Sequence, residues 1–500
     1  MRRKLRWHEV ANLSQQRSGK LKFTSAQVNQ LSEQLAGHIT LPQDPAYPVG
    51  RTTFMNAFQN FPQLIVYCQG FADVVRSIAF AKAVGLKPVC RAGGHNTAGY
   101  SVNDEMVIDV SGINYVRVEP DARIAWVGAG ANFAQINATL DLYGLHMPGG
   151  GCETVCAGGY VQGGGYGFTS LMFGMNCDQV IGLQLALADG RIVKANANEN
   201  ADLFWAVLGG TGNNFGVLLE IEYRLREIGK LWGFGFKWPL GTAEQAAAAS
   251  IALQVLQANF TGKAVPPNLG LQAMLAYTQG SEDGLAPFFL VRGMFNGDEP
   301  GCQKVLEPLL KLMPNVEQYR DIWRAGTYRE LNVYLLTYPT ELPANIPNSA
   351  RSVAKSHIVG RQLTVAEFAS IVELFRSSGN EDNFIGFEPY GGAINAIAPD
   401  ANAFWHRTAM MDVFLFSFWL HEDNRGRALG YVSDFDRVVQ PLSNGCSYQN
   451  YPNRHIQDFG HVYFGGNLPR LLQVKQAYDP DNLFTFPQGL GSITKAAGSS

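Results

Sequence analysis

The 500-residue sequence has few charged side chains and no long apolar run. Charged residues make up only 16%, and 39 basic against 42 acidic side chains leave a formal charge of −3. So small a charge gives no general attraction to nucleic acid or to an anionic membrane, and we expect neither as a partner. Because no stretch of 18 apolar residues occurs, no transmembrane helix is predicted.

Signals for secretion, disulfide bonds and metal binding are also missing. Residues 1–22 are basic and polar and lack the apolar stretch of a secretory signal, which favours a cytoplasmic location. The seven cysteines are an odd number, and they are scattered through the chain without any Cys-x-x-Cys pair. We therefore predict reduced thiols. Cys152 and Cys156 have no histidine clustered with them, so no metal site is predicted.

Three common catalytic motifs are absent as well. No Gly-x-Gly-x-x-Gly follows a strand, and the nearest match, Gly128-Ala-Gly130, lacks the third glycine. No phosphate-binding Gly-x-x-x-x-Gly-Lys-Ser/Thr occurs, which argues against nucleotide hydrolysis. A Gly-x-Ser-x-Gly elbow is missing too, which disfavours an α/β-hydrolase.

Glycine, by contrast, is abundant and concentrated. The chain has 54 glycines, about 11% against a usual value of roughly 7%. Nine of the nineteen residues from Gly149 to Gly167 are glycine. Backbone without Cβ atoms can approach another molecule closely, so this segment is a candidate binding loop.

The hydrophobic content of 46% is enough for sizeable cores, and the length predicts two or three domains. The pattern predicts a capped helix over 24–45, a strand–helix–strand unit over 61–90, and a hairpin that turns at Asp189-Gly190. After about residue 228, apolar strands alternate with helices at 242–259 and 364–378. Antiparallel strands with helices laid on them predict an α+β fold.

Two glycine-rich segments each carry a nucleophilic side chain. In residues 91–101, consecutive Gly93-Gly94 can form an anion nest for a pyrophosphate. In residues 148–167, the backbone can lie against a flat ring system. His95 and Cys152 lie within these segments, and imidazole and thiolate can bond covalently to an electron-poor flavin ring. The alternative is that both segments are only tight turns.

Four ordered motifs together resemble the berberine-bridge-enzyme-like FAD oxidases of the vanillyl-alcohol-oxidase superfamily. They are RAGGHNTAGYS, GGGCETVCAGGYVQGGGYG, DLFWAVLGGTGNNFGV and the carboxyl-terminal YQNYPN…YFGGNLPRLLQVKQAYDPDNLF. The resemblance extends from about residue 60 to 490. It implies a discontinuous FAD-binding domain, residues 1–228 and 445–500, and a substrate-binding domain, residues 229–444, whose antiparallel sheet is covered by helices.

The resemblance also implies how FAD is held. It assigns covalent bonds to His95, at the 8α carbon, and to Cys152, at C6 of the ring. Tyr160 departs from the histidine that is frequent in the family at that position. The remaining cofactor-binding residues that the resemblance implies are Arg91, Ala92, Gly93, Gly94, Asn96, Gly99, Gly151, Val155, Gly158, Gly159, Gly163, Tyr166, Gly167, Val217, Asn450 and Asn467.

For catalysis, the resemblance implies a tyrosine base, which matches Tyr451, with Tyr448 as the second candidate. A free tyrosine has a pKa near 10, so we expect the site to lower the pKa of Tyr451. Glu388 and Tyr390 fall on one face of a predicted strand and are candidates to assist Tyr451 or to contact substrate. His357 is a further candidate substrate contact. The structural alternatives are that Tyr451 is an ordinary core tyrosine and that Glu388 and Tyr390 lie on a solvated strand edge.

The function that follows is an FAD-dependent oxidase. It would transfer a hydride from an alcohol carbon of a bulky small molecule, a secondary metabolite or an oligosaccharide, to flavin N5, with reoxidation by O2 giving H2O2. One alternative is a dehydrogenase of the same fold that uses another electron acceptor. The other is an inactive protein that only binds flavin or ligand. The sequence indicates neither the substrate nor the oligomeric state.

Overall fold

The computed structural model of the protein describes residues 21–54, 57–277, 286–313, 315–337, 351–378, 383–419 and 421–497. The strands are β1 His38–Thr40, β2 Leu64–Tyr67, β3 Pro88–Arg91, β4 Met106–Asp109, β5 Val116–Glu119, β6 Ile124–Gly128, β7 Leu145–His146, β8 Val180–Ala186, β9 Ile192–Ala195, β10 Val217–Arg224, β11 Arg226–Glu227, β12 Leu231–Pro239, β13 Leu269–Tyr277, β14 Pro287–Phe295, β15 Arg320–Gly326, β16 Arg351–Val359, β17 Asn383–Pro389 and β18 Met411–Trp419. The helices are α1 Ser25–Gln34, α2 Tyr47–Gly50, α3 Phe71–Val84, α4 Phe133–Asp141, α5 Ala157–Gln162, α6 Ser170–Phe173, α7 Ala201–Val207, α8 Ala243–Phe260, α9 Glu299–Leu310, α10 Tyr328–Thr337, α11 Val365–Ser377, α12 Arg425–Val439, α13 Phe459–Phe464, α14 Leu468–Tyr478 and α15 Leu490–Ala497.

Two sheets organise the amino-terminal half. The first has the order β1-β2-β4-β3, in which β2, β4 and β3 are parallel and β1 is antiparallel. Helix α3 connects β2 to β3 and ends at Gly85 in the left-handed conformation (φ 70°), so the predicted strand–helix–strand unit is confirmed. The second sheet is antiparallel, β5-β6-β10-β8-β9, and contains the predicted hairpin at Asp189-Gly190.

A seven-stranded antiparallel sheet forms the middle of the chain, in the order β15-β12-β14-β13-β17-β18-β16. Buried side chains of α8, α9, α11 and α12 pack on one face of it and form a separate apolar core with the strands. The other face turns toward the amino-terminal half. An antiparallel sheet with helices on one face confirms the predicted α+β class.

The carboxyl-terminal segment packs against the amino-terminal half. The buried ammonium of Lys475 on α14 donates hydrogen bonds to the carbonyl of Asn214 (2.7 Å) and to Asp479 (2.5 Å). Thr97 donates to the carbonyl of Pro452 (3.1 Å). These contacts fit a domain formed by two separate parts of the chain. The predicted domain boundaries at residues 228 and 445 stay a prediction.

The helix predicted over 24–45 is wrong in its second half. Helix α1 ends at Gln34, and β1 follows at residue 38. The carboxylate of Asp73 accepts the backbone N–H groups of Ala36 (2.9 Å) and Gly37 (3.0 Å), which turns the chain toward β2. A side chain at Gly37 would collide with the carbonyl of Tyr67, so this approach requires glycine. Tertiary contacts therefore override the helical pattern.

The described helices include none with both the length and the hydrophobicity that crossing a bilayer requires. All seven cysteines are free thiols.

Candidate active site

A cavity of about 430 Å³ lies between the glycine-rich loops and the free face of the seven-stranded sheet. We call its two sides the loop wall, formed by lining residues of 92–97 and 150–168, and the sheet wall, formed by lining residues of β13, β14, β17 and β18. Residues 448–452 of the carboxyl-terminal segment also line it. The predicted site residues that line the cavity are Ala92, Gly93, Gly94, His95, Asn96, Gly151, Cys152, Val155, Gly158, Gly159, Tyr166, Gly167, Glu388, Tyr448, Asn450 and Tyr451.

Arg91 and Val217 were predicted to bind cofactor, but neither lines the cavity. The guanidinium of Arg91 is buried against Asp109 (Nε to Oδ2, 2.5 Å) and donates to the carbonyl of Gly50 (2.5 Å), so it anchors the strand before the loop. Val217 begins β10 and points into the core, because side chains alternate along a strand. Its neighbours Gly216 and Leu218 line the cavity instead.

Gly99 and Gly163 also lie off the cavity surface and serve the local backbone. Gly99 has φ 74°, a conformation that favours glycine, and a side chain there would press on Phe58. A side chain at Gly163 would collide with the amide of Asn450. These two glycines allow close packing behind the cavity.

Three further predictions do not place a side chain at the cavity. The amide of Asn467 donates to the carbonyls of Pro399 (2.7 Å) and Asn402 (3.1 Å), so it is a structural anchor. Tyr390 is fully buried and stacks on Tyr166 at 5.3 Å between ring centroids. His357 pairs with Asp436 (Nε2 to Oδ1, 2.8 Å).

The loop wall presents free hydrogen-bond donors to the cavity. Within the described part of the chain, no protein group accepts the backbone N–H groups of residues 93–97. Gly94 has φ 70°, and Gly93 meets Cys156 and Thr154 so closely that a side chain would not fit. Consecutive N–H groups without a protein acceptor are what an anion nest requires, and the nest itself stays a prediction.

Gly159 faces open space at the loop wall. A Cβ atom at Gly159 would meet nothing within 4 Å, although the residue belongs to helix α5 and lines the cavity. Protein packing therefore does not require glycine at this position, and the open space leaves room for a ligand to lie against the helix. The open space at Gly159, the free N–H groups and the two nucleophiles fit the FAD that the sequence implied.

His95 and Cys152 lie on the cavity surface and share a neighbour. The hydroxyl of Thr154 is 3.0 Å from Nε2 of His95 and 3.4 Å from Sγ of Cys152. The ring of Phe54 stacks on the imidazole at 4.2 Å. Burial lowers the pKa of His95 to about 4, so its imidazole is neutral and nucleophilic at neutral pH.

Cys156, four residues beyond Cys152, plays a packing role. Its thiol is buried and donates to the carbonyl of Gly130 (3.2 Å). Burial raises the pKa of this thiol to about 12, which leaves it unreactive.

Glu388 on the sheet wall forms a pair with Tyr451 of the carboxyl-terminal segment. The hydroxyl of Tyr451 donates to Oε1 of Glu388 at 3.1 Å, and the amide of Gln272 donates to the same oxygen at 2.8 Å. Oε2 of Glu388 is buried and has no hydrogen-bond partner among the described residues. Arg292 lies beyond Gln272, with Nη2 3.5 Å from its amide oxygen.

The pair has raised pKa values, contrary to the expectation for Tyr451. Burial, followed by the charge of Glu388, raises the pKa of Tyr451 well above 10. Burial and the charge of Asp412 also raise the pKa of Glu388 well above 4.5, although hydrogen bonds from Tyr451 and Gln272 lower it. Tyr451 therefore keeps its proton at neutral pH, while Glu388 can take up a proton above the usual pH range of a glutamate.

Tyr448 holds the loop wall in place. Its hydroxyl oxygen accepts the N–H groups of Gly165 and Tyr166 and the amide of Asn450, each at 3.0 Å. Three donors on one hydroxyl oxygen leave it little capacity to accept a substrate proton. Between the two tyrosine candidates, the geometry favours Tyr451.

Gln272, Arg292 and Thr154 belong to the site but were not predicted from the sequence. Gln272 and Arg292 are the polar residues of β13 and β14 that line the cavity, and they face each other across the two strands. A polar side chain in the middle of an apolar strand was the available signal, because such a group needs a partner when buried. Nothing in the sequence indicates that Thr154 would reach His95.

Known proteins support the same fold and cofactor. Two family models match, "FAD binding domain" over residues 62–196 and "Berberine and berberine like" over residues 447–491. YvdP of Bacillus subtilis, an uncharacterized FAD-linked oxidoreductase, is 29% identical, and the match covers 92% of this chain and 99% of YvdP. Berberine-bridge-enzyme-like 1 of Physcomitrella patens is 25% identical with a TM-score of 0.81, over 92% of this chain and 98% of that one.

The likeness in fold extends to more distant flavoproteins. The glucooligosaccharide oxidase of Acremonium strictum has a TM-score of 0.79 at 21% identity, over 93% of this chain and 99% of that one. At this identity, the match concerns the architecture alone. It agrees with the predicted two-domain flavoprotein fold.

Proposed function

Because the chain is similar to berberine-bridge-enzyme-like FAD-linked oxidoreductases, we propose that it oxidises an alcohol carbon of a bulky small molecule and reduces O2 to H2O2. The observation that carries this proposal is the Tyr451–Glu388 pair, which faces the cavity opposite the loop wall. FAD, when bound, supplies the hydride acceptor at N5 and passes the two electrons to O2.

The chain's own residues handle the proton. The substrate hydroxyl loses its proton to the oxygen of Tyr451, while Tyr451 passes its own proton to Oε1 of Glu388. Tyr451 therefore never carries the full charge that burial disfavours. Burial raises the pKa of Glu388, which suits it to hold the proton that the alcohol releases.

Gln272 and Arg292 keep this carboxylate in place. The amide of Gln272 donates to Oε1 of Glu388, and Arg292 is fixed by a hydrogen bond of 2.5 Å to the carbonyl of Leu335. Because the groups are buried, their positions are set before substrate arrives, which lowers the cost of orienting the reacting hydroxyl.

His95 and Cys152 would hold FAD covalently in this proposal. Thr154 engages Nε2 of His95, so Nδ1 is the nitrogen that we assign to the bond. Each link forms one bond, releases two protons and gives up two electrons, which O2 accepts. The A. strictum glucooligosaccharide oxidase, by its description, carries a 6-S-cysteinyl, 8α-N1-histidyl FAD. That protein supports the assignment through its similar fold.

Two measurements test the proposal. Protein denatured in acid or SDS should keep its yellow colour, and only the double variant His95→Ala/Cys152→Ala should release all of it. Release of all colour from the parent protein would contradict covalent attachment. Anaerobic addition of a substrate alcohol should bleach the flavin, and air should restore its colour with release of H2O2. Reduced protein that stays bleached in air would instead indicate a dehydrogenase.

A further inference from the structure

Four polar residues on the free face of the seven-stranded sheet lie in one row. Strand register places Arg292, Gln272, Glu388 and Asp412 side by side on β14, β13, β17 and β18. Three of them, all except Asp412, line the cavity. The substrate hydroxyl belongs at this row, because Tyr451 donates to Glu388 there.

The sheet wall beyond this row is apolar. We call Met274, Phe384, Phe414 and Phe416 the apolar patch; all four line the cavity. They share the face of the polar row, because side chains two residues apart along a strand point the same way. Register pairs Phe384 with Phe416, and Gly386 with both Met274 and Phe414.

The apolar patch is packed as one surface. A side chain at Gly386 would collide with the ring of Phe414, so the glycine lets this ring lie flat on the sheet. Phe414 also contacts the ring of Tyr451 at 4.8 Å between centroids. Phe384 stacks on Phe416 at 5.3 Å and 18°. The patch therefore starts beside the reacting hydroxyl and extends away from it.

Such a surface discriminates between classes of alcohol. None of the four side chains can accept or donate a strong hydrogen bond, whereas a sugar carries a hydroxyl on nearly every carbon. Hydroxyl groups placed over the patch would lose water without gaining partners, which is unfavourable. A flat aromatic body would bury its surface against these rings.

We infer that the substrate is an aromatic alcohol, with its carbinol carbon at the Tyr451–Glu388 pair and its ring system on the apolar patch. This inference rests on the proposed function and names its substrate class. Oxidation removes one hydride and one proton from the carbinol and leaves an aryl aldehyde or ketone. The proton goes to the pair, the hydride to FAD, and O2 becomes H2O2.

The test compares substrates on the holoenzyme. Naphthalen-2-ylmethanol and xylobiose are mixed anaerobically with it, and the second-order rate constant of flavin bleaching is measured. We expect the aromatic alcohol to bleach the flavin at least 100-fold more efficiently. 2-Methylnaphthalene has no hydroxyl and is not oxidised as an alcohol, so its effect on the flavin spectrum reports binding alone.

Two matched variants locate the binding surface. Phe384→Ala should weaken binding of 2-methylnaphthalene about tenfold, because it removes one ring of the patch. Phe418→Ala is the control, since Phe418 belongs to the same aromatic cluster but does not line the cavity. It should change binding less than twofold, and both variants are compared by melting temperature.

The outcomes separate the two claims. Bleaching by xylobiose as fast as by the aromatic alcohol would overturn the substrate class and leave the proposed alcohol oxidation standing. A second outcome is that the parent binds 2-methylnaphthalene and Phe384→Ala loses this binding, while no alcohol bleaches the flavin. That result would support the binding surface and contradict the proposed oxidation. Absence of binding to the parent holoenzyme would overturn the inference, whether or not the variants fold.

Discussion

The two walls of the cavity are built in opposite ways. The loop wall consists largely of backbone, from which side chains are missing at Gly93, Gly94 and Gly159. The sheet wall consists of side chains on regular strands, such as Gln272 and Glu388. The loop wall comes from short contiguous segments, whereas Gln272 and Glu388 are 116 residues apart in the chain. A local motif can therefore reveal one wall but not the other.

The difference also separates binding from chemistry. The loop wall offers N–H groups and space, which suit a large planar cofactor with a charged diphosphate. The sheet wall offers a proton acceptor with a raised pKa and an apolar surface, which suit a reacting alcohol. Variants on the sheet wall should thus change the rate of flavin reduction, and variants on the loop wall should change how well FAD is retained.

The largest effect is expected from Tyr451→Phe. Removing the hydroxyl breaks the link between the substrate and Glu388, so the rate of anaerobic flavin reduction should fall about 100- to 10,000-fold. Stopped-flow absorbance measures this rate. The flavin content should match that of the parent. If the variant reduced its flavin at the parental rate, Tyr451 would not be the proton acceptor.

Glu388→Gln should lower the same rate by roughly tenfold to a hundredfold. In the parent, the rate should rise with pH as Glu388 loses its proton, above the usual range for a glutamate because burial raises its pKa. The glutamine variant should lose this rise. A pH profile of flavin reduction, recorded for both proteins, checks the prediction, and an unchanged profile would contradict it.

The same substitution should stabilise the protein at high pH. A carboxyl whose pKa is raised on folding favours the folded state below its unfolded pKa, and this contribution is lost as the pH rises through the folded pKa. The difference in melting temperature between Glu388→Gln and the parent should therefore grow in favour of the variant as the pH increases. A constant difference would show that Glu388 keeps its ordinary pKa.

Gly159→Ala should weaken cofactor binding about tenfold, because the added methyl group enters only the cavity. The stability of the apoprotein should not fall, because alanine favours a helix over glycine by about 1 kcal/mol. Gly426→Ala is the matched control, at an exposed position of helix α12, where a Cβ atom also meets nothing within 4 Å. FAD titration in the His95→Ala/Cys152→Ala background measures reversible affinity. Equal affinity in both glycine variants would show that FAD does not lie against Gly159.

The smallest effect is expected from Thr154→Val. Without the hydroxyl that contacts Nε2, the imidazole of His95 is less well oriented, and the bond to FAD should form two- to fivefold more slowly, since one neutral hydrogen bond contributes about 1 kcal/mol. Mass spectrometry of the His95 peptide after addition of FAD follows the reaction. Thr154→Ser keeps the hydroxyl and should react like the parent. Equal rates of bond formation in Thr154→Val and Thr154→Ser would exclude this positioning role.

Much of the fold could be predicted from residue patterns. The strand–helix–strand unit around α3, the hairpin at Asp189-Gly190 and the helices α8 and α11 follow periodicity and capping residues. Helices α9 and α12 were not predicted. Helix α1 was predicted too long, because the carboxylate of Asp73 redirects the chain through contacts that no local pattern contains.

In the site, the sequence by itself determined the loop wall. Its glycines, His95 and Cys152 lie in two short contiguous segments, and left-handed backbone or close approach dictates glycine locally. Tertiary structure decided which of these residues face the cavity, and it turned Arg91 and Val217 away from it.

Only the tertiary structure decided the sheet wall. Register across three strands brings Arg292, Gln272 and Glu388 into one row, and the carboxyl-terminal segment adds Tyr451, 63 residues beyond Glu388 in the chain. Burial then raises the pKa values of the pair, in the direction opposite to that expected for Tyr451 alone. Desolvation depends on every atom packed around a group, so no motif in the sequence encodes it.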